Sequence, residues 1–419
     1  MRNALAAPGV YGDGLHDDTA GLQAALDAGP GTVHLPQPPA HYVVTRPLRL
    51  HSYQSLVADR YAVIRLADHA HAYLLTNADH AAGNEHLAVT GGIWDGNNLA
   101  QTCAYHQPGG TWRVPFDPAR YLGVIMQFNR VRDLHVSGLT LKDPETFGFQ
   151  GGNLERFTVA DITFDYNLRR GNMDGIHVHG NSHHGRIVNL KGTTNDDLVA
   201  LNADDGEMFE LSRGPITDVL VDGVWSQDGY TAVRLLSAGS PIQRVKLANL
   251  FGTYRYNVVS FTNHRVHPGT ASTFDDIVID GVFCAKAAAG QPATAGAPVS
   301  SHLAPIWIDA PAVVSHLTIR DYHRTETAVA ADDIVIETGA TVAALTLSDV
   351  ALANRCGAPL SLLHNRGTIG TLALQHVHAT AAGAAAGATL VRNAGTISRL
   401  SQWHVRAEGF APDATTGAP

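Results

Sequence analysis

One six-residue template recurs along the chain: apolar, any residue, apolar, two small or polar residues, apolar. Leu134-His-Val136-Ser-Gly-Leu139 and Phe157-Thr-Val159-Ala-Asp-Ile162 are consecutive copies. Val219-Leu-Val221-Asp-Gly-Val224, Val245-Lys-Leu247-Ala-Asn-Leu250 and Ile277-Val-Ile279-Asp-Gly-Val282 follow. Leu317-Thr-Ile319-Arg-Asp-Tyr322, Leu345-Thr-Leu347-Ser-Asp-Val350 and Leu372-Ala-Leu374-Gln-His-Val377 close the series, and Gly185-Arg-Ile187-Val-Asn-Leu190 is a weaker copy. The second apolar residue returns after 23 residues at the shortest, from Val136 to Val159, and after 40 at the longest, from Ile279 to Ile319. The minimum is what one coil of a parallel β-helix needs, and the excess is loop. Alternation puts one side chain inward and the next outward. A single coil cannot bury its apolar face, so stacked coils make the core. The pattern predicts an all-β chain, a right-handed parallel β-helix of about ten coils. A β-sandwich also has many short strands, but one template repeated in one orientation fits it poorly.

The ends are those of a solenoid. Residues 17–28 predict a short helix, with Asp17, Asp18 or Thr19 as N-cap and Leu22, Ala25 and Leu26 as its apolar stripe. Such a helix covers the open core of the first coil. Residues 285–301 read as a long small-residue loop and 409–419 as a loose tail, with 1–408 a single domain.

Hydrophobic residues make up 45% of the 419 and charged residues 16%, which excludes a disordered chain. The formal charge of -9 argues against nucleic acid as a partner, because that affinity comes from Lys and Arg on phosphates. No apolar run is long enough for a membrane helix. The first ten residues show no signal peptide, so the compartment is open between a trimmed secreted or periplasmic protein and a cytoplasmic one. Cys103, Cys284 and Cys356 lie far apart and give neither a metal spacing nor a disulfide framework. No cofactor is expected, and monomer and homo-oligomer both remain open.

Several segments resemble known pectin-degrading β-helix proteins. Tyr11-Gly-Asp-Gly-Leu-His-Asp-Asp-Thr19 and Gly91-Gly-Ile-Trp-Asp-Gly96 resemble motifs shared widely in that superfamily, and speak for fold only. Asn172-Met-Asp174-Gly-Ile176 resembles the Asn-Thr-Asp-Gly motif of polygalacturonase-type glycoside hydrolases. Asn195-Asp196-Asp197-Leu-Val-Ala resembles their Gly-Asp-Asp-Cys-Ile-Ala motif, and its aspartates follow Asp174 by 22 and 23 residues. The residues themselves point the same way. Aligning Asp174-Gly-Ile176-His-Val178 with Asp197-Leu-Val199-Ala-Leu201 superposes the inward apolar positions one coil apart. Adjacent strands are about 4.8 Å apart, so Asp174, Asp196 and Asp197 should gather within about 8 Å on an exposed groove. Crowded carboxylates cannot all ionise freely, which supplies an acid beside a base. Glu145 fits the same register and extends the column. Turn-capping aspartates are the structural alternative.

The resemblance implies an inverting hydrolase, with Asp197 as acid and Asp174 and Asp196 activating water. Asn172, His177, His179, Asn202, Tyr230, Arg234 and Glu145 are the substrate-binding candidates. His177 and His179 are expected to face outward, near His183 and His184, without the third ligand at defined spacing that a metal requires. Trp94, Trp112, Tyr121, Tyr230, Tyr254 and Tyr256 could stack on sugar rings, though packing is the commoner role of such residues. The family's His-Gly and Arg-Ile-Lys motifs are missing: Tyr230 or Thr231 stands at the first, Ser260 and Thr262 at the second. That basic pair grips the sugar carboxylate; Arg234, His264 or Arg265 are the replacements available. The substrate expected is therefore a neutral or weakly charged poly- or oligosaccharide in place of polygalacturonate. A polysaccharide lyase or epimerase, and a non-catalytic glycan-binding or tailspike-like protein, are the competing readings of the same fold.

Overall fold

Each apolar position of the repeat stands over its counterpart in the next coil. In the computed structural model, which describes residues 1–106, 120–205, 213–264, 267, 269–288 and 303–411, the strands Val131–Ser137 and Glu155–Asp165 pair in parallel, Val136 opposite Val159. The strand Ser182–Gly192 sets Ile187 opposite Val159 and Leu190 opposite Ile162. Farther along, Leu247, Ile279, Ile319, Leu347 and Leu374 pair in succession. All are buried. Gly185 explains the weaker copy. It lies opposite Phe157, and a Cβ there would meet the Phe157 ring at 2.1 Å. The ring fills the space that the template's first apolar side chain would occupy.

The template's fifth position is a left-handed bend. Gly138, Asp161, Asn189, Gly223, Asn249, Gly281, Asp321, Asp349 and His376 occupy it in turn, all with φ between 49° and 79°. Glycine has no Cβ penalty there, and Asn, Asp and His tolerate the left-handed region best among the others. The small and polar residues of the repeat are thus required by the backbone that turns the strand after each apolar pair.

The chain divides into two compact units, residues 1–200 with 204–216 and residues 201–203 with 217–419. In the first, the strands Leu48–Leu50, Leu75–Asn77, Met126–Asn129, Phe149–Gly152 and Ile176–His179 stack in parallel. In the second, Thr231–Ser237, Val259–Thr262, Ile306–Ile308, Ile334–Ile336, Leu363–Asn365 and Val391–Asn393 do the same. Both are built as a parallel β-helix.

The helix spans Thr19–Asp27 and buries Leu22, Ala25 and Leu26. Its cap differs from expectation. Asp18 occupies the N-cap position but makes no side-chain cap bond. Its carboxylate accepts from the amides of Gly12 and Val43, tying the opening motif to the strand Tyr42–Val44. Asp17 accepts the Thr19 amide at 2.9 Å instead. The long loop also starts later than expected: Ala285 and Lys286 end the strand Ser272–Lys286, and 289–301 lie outside the described residues. Of the tail, Gly409 and Ala411 bond to Gly387 and Ala388, while 412–419 lie outside the described residues.

Candidate active site

Asp174 stands two residues before the strand Ile176–His179, and Asp197 opens the strand Asp197–Ala203. The Gly175 amide donates to the Asp197 carbonyl at 2.8 Å. That is the register expected from the sequence, with the two aspartates one coil apart. Gly175 has a physical reason in the Asp-Gly pair: a Cβ there would come within 2.4 Å of the Leu198 carbonyl oxygen and 2.5 Å of the Phe164 ring. Only glycine lets the coils approach this closely. One carboxylate oxygen each from Asp174, Asp196 and Asp197 lies within 4.8 Å of the others.

The site is less open than expected. Asp174 and Asp197 are 1% and 2% exposed, with Asp196 intermediate. His177 and His179 are buried at 2% and 1%, where exposed groove lining was expected. The reason is stacking. The His177 ring lies between Phe147, 4.3 Å away, and His179, 4.4 Å away. His177 Nδ1 meets Asp174 Oδ2 at 2.7 Å, and its Nε2 faces Asp205 Oδ2 at 3.8 Å. Gln150, opposite His177 in the ladder, bonds His179 at 3.2 Å and Gln127 at 3.1 Å. Phe147, Gln150 and Asp205 were not anticipated. The register expected from the sequence set Glu145 level with Asp174, but Phe149 pairs with Ile176, so Phe147 takes that level instead. Asp205 carried no signal.

Burial by itself would lower the His177 pKa, but the Asp174 and Asp205 carboxylates outweigh it and the pKa is raised above 6.5. A group with a raised folded pKa adds stability that is fully present below its unfolded value and is lost as pH rises through the folded one. The thermal midpoint of the protein should therefore fall as pH increases upward from 6.5, and His177→Gln should flatten that slope. Equal slopes in the two proteins would remove His177 from the account.

The other candidates are placed differently. Asn172 is half-buried with φ 56°, a left-handed position that asparagine tolerates. Glu145 does not join the aspartates; its fully buried carboxylate meets His106 Nδ1 at 3.0 Å. His183 is half-buried, and His184 sits at a left-handed bend with φ 58°. Asn202, Tyr230 and Arg234 belong to the second unit. Asn202 is buried, and Tyr230 stacks on Tyr256 at 4.1 Å. Half-buried Arg234 pairs with Ser260, which puts serine one coil on at the same ladder position. His264 is exposed. Trp94, Tyr121 and Tyr254 are buried and pack in the interior, Trp94 donating to the Gly91 carbonyl. Trp112 and Arg265 lie outside the described residues. A cleft of about 580 Å³ in the first unit lies elsewhere, lined by Arg60, Tyr61, Thr140, Asp161, Asn189 and Lys191. Its lining holds a single carboxylate, Asp161, and no acid–base pair, so the aspartate trio remains the better candidate.

Among the described residues, three groups in the first unit offer ligand atoms close enough to share one ion: Asp174, Asp196 and Asp197; His177, His179 and Asp205; and Cys103, His106 and Glu145. The trio of aspartates can equally divide into a proton donor and a water-activating pair, with His177 offsetting part of the negative charge.

Stacked parallel coils are a β-helix fold, and solved structures share it. Residues 84–217, the coils that carry all three aspartates, match the family model of glycosyl hydrolases family 28. Over those coils the chain is similar to that family. The family 28 exopolygalacturonase of Yersinia enterocolitica is similar in fold at 14% identity and TM-score 0.54, over 96% of this chain and 77% of that one. A hyperthermoactive exopolygalacturonase from Thermotoga maritima is similar at 13% identity and TM-score 0.51, over 90% of this chain and 91% of that one. The pre-mature bacteriophage phi29 gene product 12 is similar at 15% identity and TM-score 0.61, over 97% of this chain and 56% of that one. No curated protein sequence matches the chain.

Proposed function

We propose that the protein is an inverting glycoside hydrolase acting on a neutral or weakly charged poly- or oligosaccharide. The observation that carries this reading is the meeting of Asp174, Asp196 and Asp197 within 4.8 Å at the family-matched coils. Asp197 protonates the leaving oxygen, and Asp174 and Asp196 activate water. Asn172, His177 and His179 are the proposed binding residues of the first unit, and Asn202, Tyr230 and Arg234 are those proposed in the second. The nearest oxygens are closer than the roughly 6.5–9.5 Å between carboxyl groups typical of inversion. Inversion is therefore supported by the resemblance and the family match, and the anomer of the first product, read by NMR, tests it. Retention would mean that one aspartate acts as nucleophile.

The substrate reading rests on Ser260, opposite Arg234. A polyanion entering an aspartate-rich site needs cations to offset it, and unpaired like charges there cost several kcal/mol. A glycan panel should give new reducing ends from neutral glycans and little from polygalacturonate. Efficient polygalacturonate cleavage lost in Arg234→Ala would overturn this. New ultraviolet absorbance from an unsaturated uronate would mean a lyase.

The burial of Asp174 and Asp197 favours a second reading, a non-catalytic glycan-binding β-helix with the aspartates as an internal polar cluster. Binding without any product across the panel would select it.

A further inference from the structure

Residues 103–106 form a tight turn, closed by the His106 amide donating to the Cys103 carbonyl at 3.1 Å. It directs the Cys103 thiol and the His106 ring to one side. Glu145 reaches the same point from 39 residues away. Cys103 Sγ lies 3.5 Å from His106 Nδ1, and Nδ1 lies 3.0 Å from Glu145 Oε1. Cys103 and Glu145 are buried, and the His106 side chain keeps only 17% of its surface.

Both contacts converge on the same ring nitrogen. A Cys–His–Glu catalytic relay uses the two imidazole nitrogens for its two partners, so this is no relay. As a plain hydrogen-bonded cluster it is also incomplete. Nδ1 has one lone pair or one proton to share between sulfur and carboxylate. Glu145 Oε2 is buried and accepts no hydrogen bond among the described residues. Buried polar atoms of that kind are costly unless something satisfies them.

A tetrahedral ion accounts for the arrangement. With metal–sulfur near 2.3 Å and metal–nitrogen and metal–oxygen near 2.0–2.1 Å, tetrahedral edges are about 3.5 Å for S···N and about 3.3 Å for N···O. The observed separations are 3.5 and 3.0 Å. We propose that Cys103, His106 and Glu145 bind one divalent transition-metal ion of the zinc type. Thiolate, imidazole and carboxylate are the donor set that zinc takes, and the three leave a fourth position for water or another ligand. The ion would staple the turn at 103–106 to the segment of Glu145 and Phe147, whose ring stacks on His177. The spacing of the cysteines gives no hint of it, because the third ligand comes from the next coil.

The test is a titration of the metal-free full-length protein with Co(II), followed by displacement with Zn(II). One equivalent should develop a near-ultraviolet sulfur-to-cobalt band, which Cys103→Ser abolishes and Cys356→Ser leaves intact. Glu145→Gln should weaken Zn(II) affinity by about 10-fold or more, the loss that even an outer-shell group produces. Zn(II) should also raise the thermal midpoint of the metal-free protein. Cobalt bound without the sulfur band would place the ion at the carboxylates and overturn the assignment. So would no binding at all, or a band that survives Cys103→Ser. The wild-type spectrum decides the matter even if a variant fails to fold.

Discussion

Asp197→Asn should lower kcat for glycan cleavage by about 10²–10⁴-fold, the usual contribution of a general acid, with KM changed far less. Asparagine keeps the shape and the neutral charge of a protonated acid but has no proton to give. The leaving oxygen would then depart as an alkoxide. An aryl glycoside with a good leaving group needs no such help, so on that substrate the variant should recover most of its rate. Asp174→Asn should lose rate on both substrates, because water activation is needed whatever departs. A reducing-end assay and a chromogenic aryl glycoside give the two measurements. Asp197→Asn within a few-fold of wild type on the glycan would end its assignment as the acid. An equal loss on both substrates would move it to the water-activating side.

The burial of the site shapes how those assays read. With Asp174 at 1% and Asp197 at 2% exposure, solvent screens the carboxylates poorly and each charge acts strongly on its neighbours. His177 is the nearest titratable group with a resolved shift, and it shares Asp174. A protonated His177 puts a positive charge beside the Asp174 carboxylate. The upper limb of the pH–rate profile should therefore follow His177 and shift in His177→Gln.

Much of this was readable in the residues because a β-helix converts sequence spacing into stacking. Val136, Val159 and Ile187 predicted their own register, and aligning residues 174–178 with 197–201 put Asp174 over Asp197. The small or polar fifth template position was visible as a pattern, and its reason, a left-handed bend at Asp161, Asn189 and Gly281, came from the structure. What spacing does not encode is where a side chain leans. Phe147 tilts onto His177 and closes a face that alternation alone marks as outward. Glu145 falls two residues short of the level of Asp174, which Phe147 takes, and its carboxylate meets His106, because the turn at 103–106 approaches it from outside the repeat. Asp18 reads as a helix cap and instead holds Gly12 and Val43, two partners distant in sequence.

The largest effect on stability should come from Arg324, a fully buried arginine in the strand Ala312–Glu326. Its guanidinium bonds Glu326 Oε2 at 2.6 Å and Asp333 Oδ1 at 2.8 Å, and it also donates to the Ala331 carbonyl. Tyr322 donates to the same Asp333 oxygen at 2.6 Å. Burial would raise the Glu326 pKa, but Arg324 and the Val329 and Ala328 amides hold it below its ordinary value. For Asp333 burial wins, and its pKa is raised. Arg324→Met keeps the volume and removes the only cation that the two carboxylates share among the bonds described. Breaking a buried pair from one side costs about 3–5 kcal/mol, or roughly 6–20 °C in the midpoint of the second unit. The pH dependence identifies the cause. In the wild type, Glu326 adds stability above its unfolded pKa that is lost as pH falls through the folded one. In the variant both carboxylates would have raised folded pKa values, so stability would instead be gained as pH falls and they protonate. The gap between the proteins should be widest near neutrality and narrow towards pH 4. Arg324→Met combined with Glu326→Gln and Asp333→Asn should recover much of the loss at neutral pH. A gap of constant size from pH 4 to pH 7 would mean that Arg324 contributes by packing and not by charge.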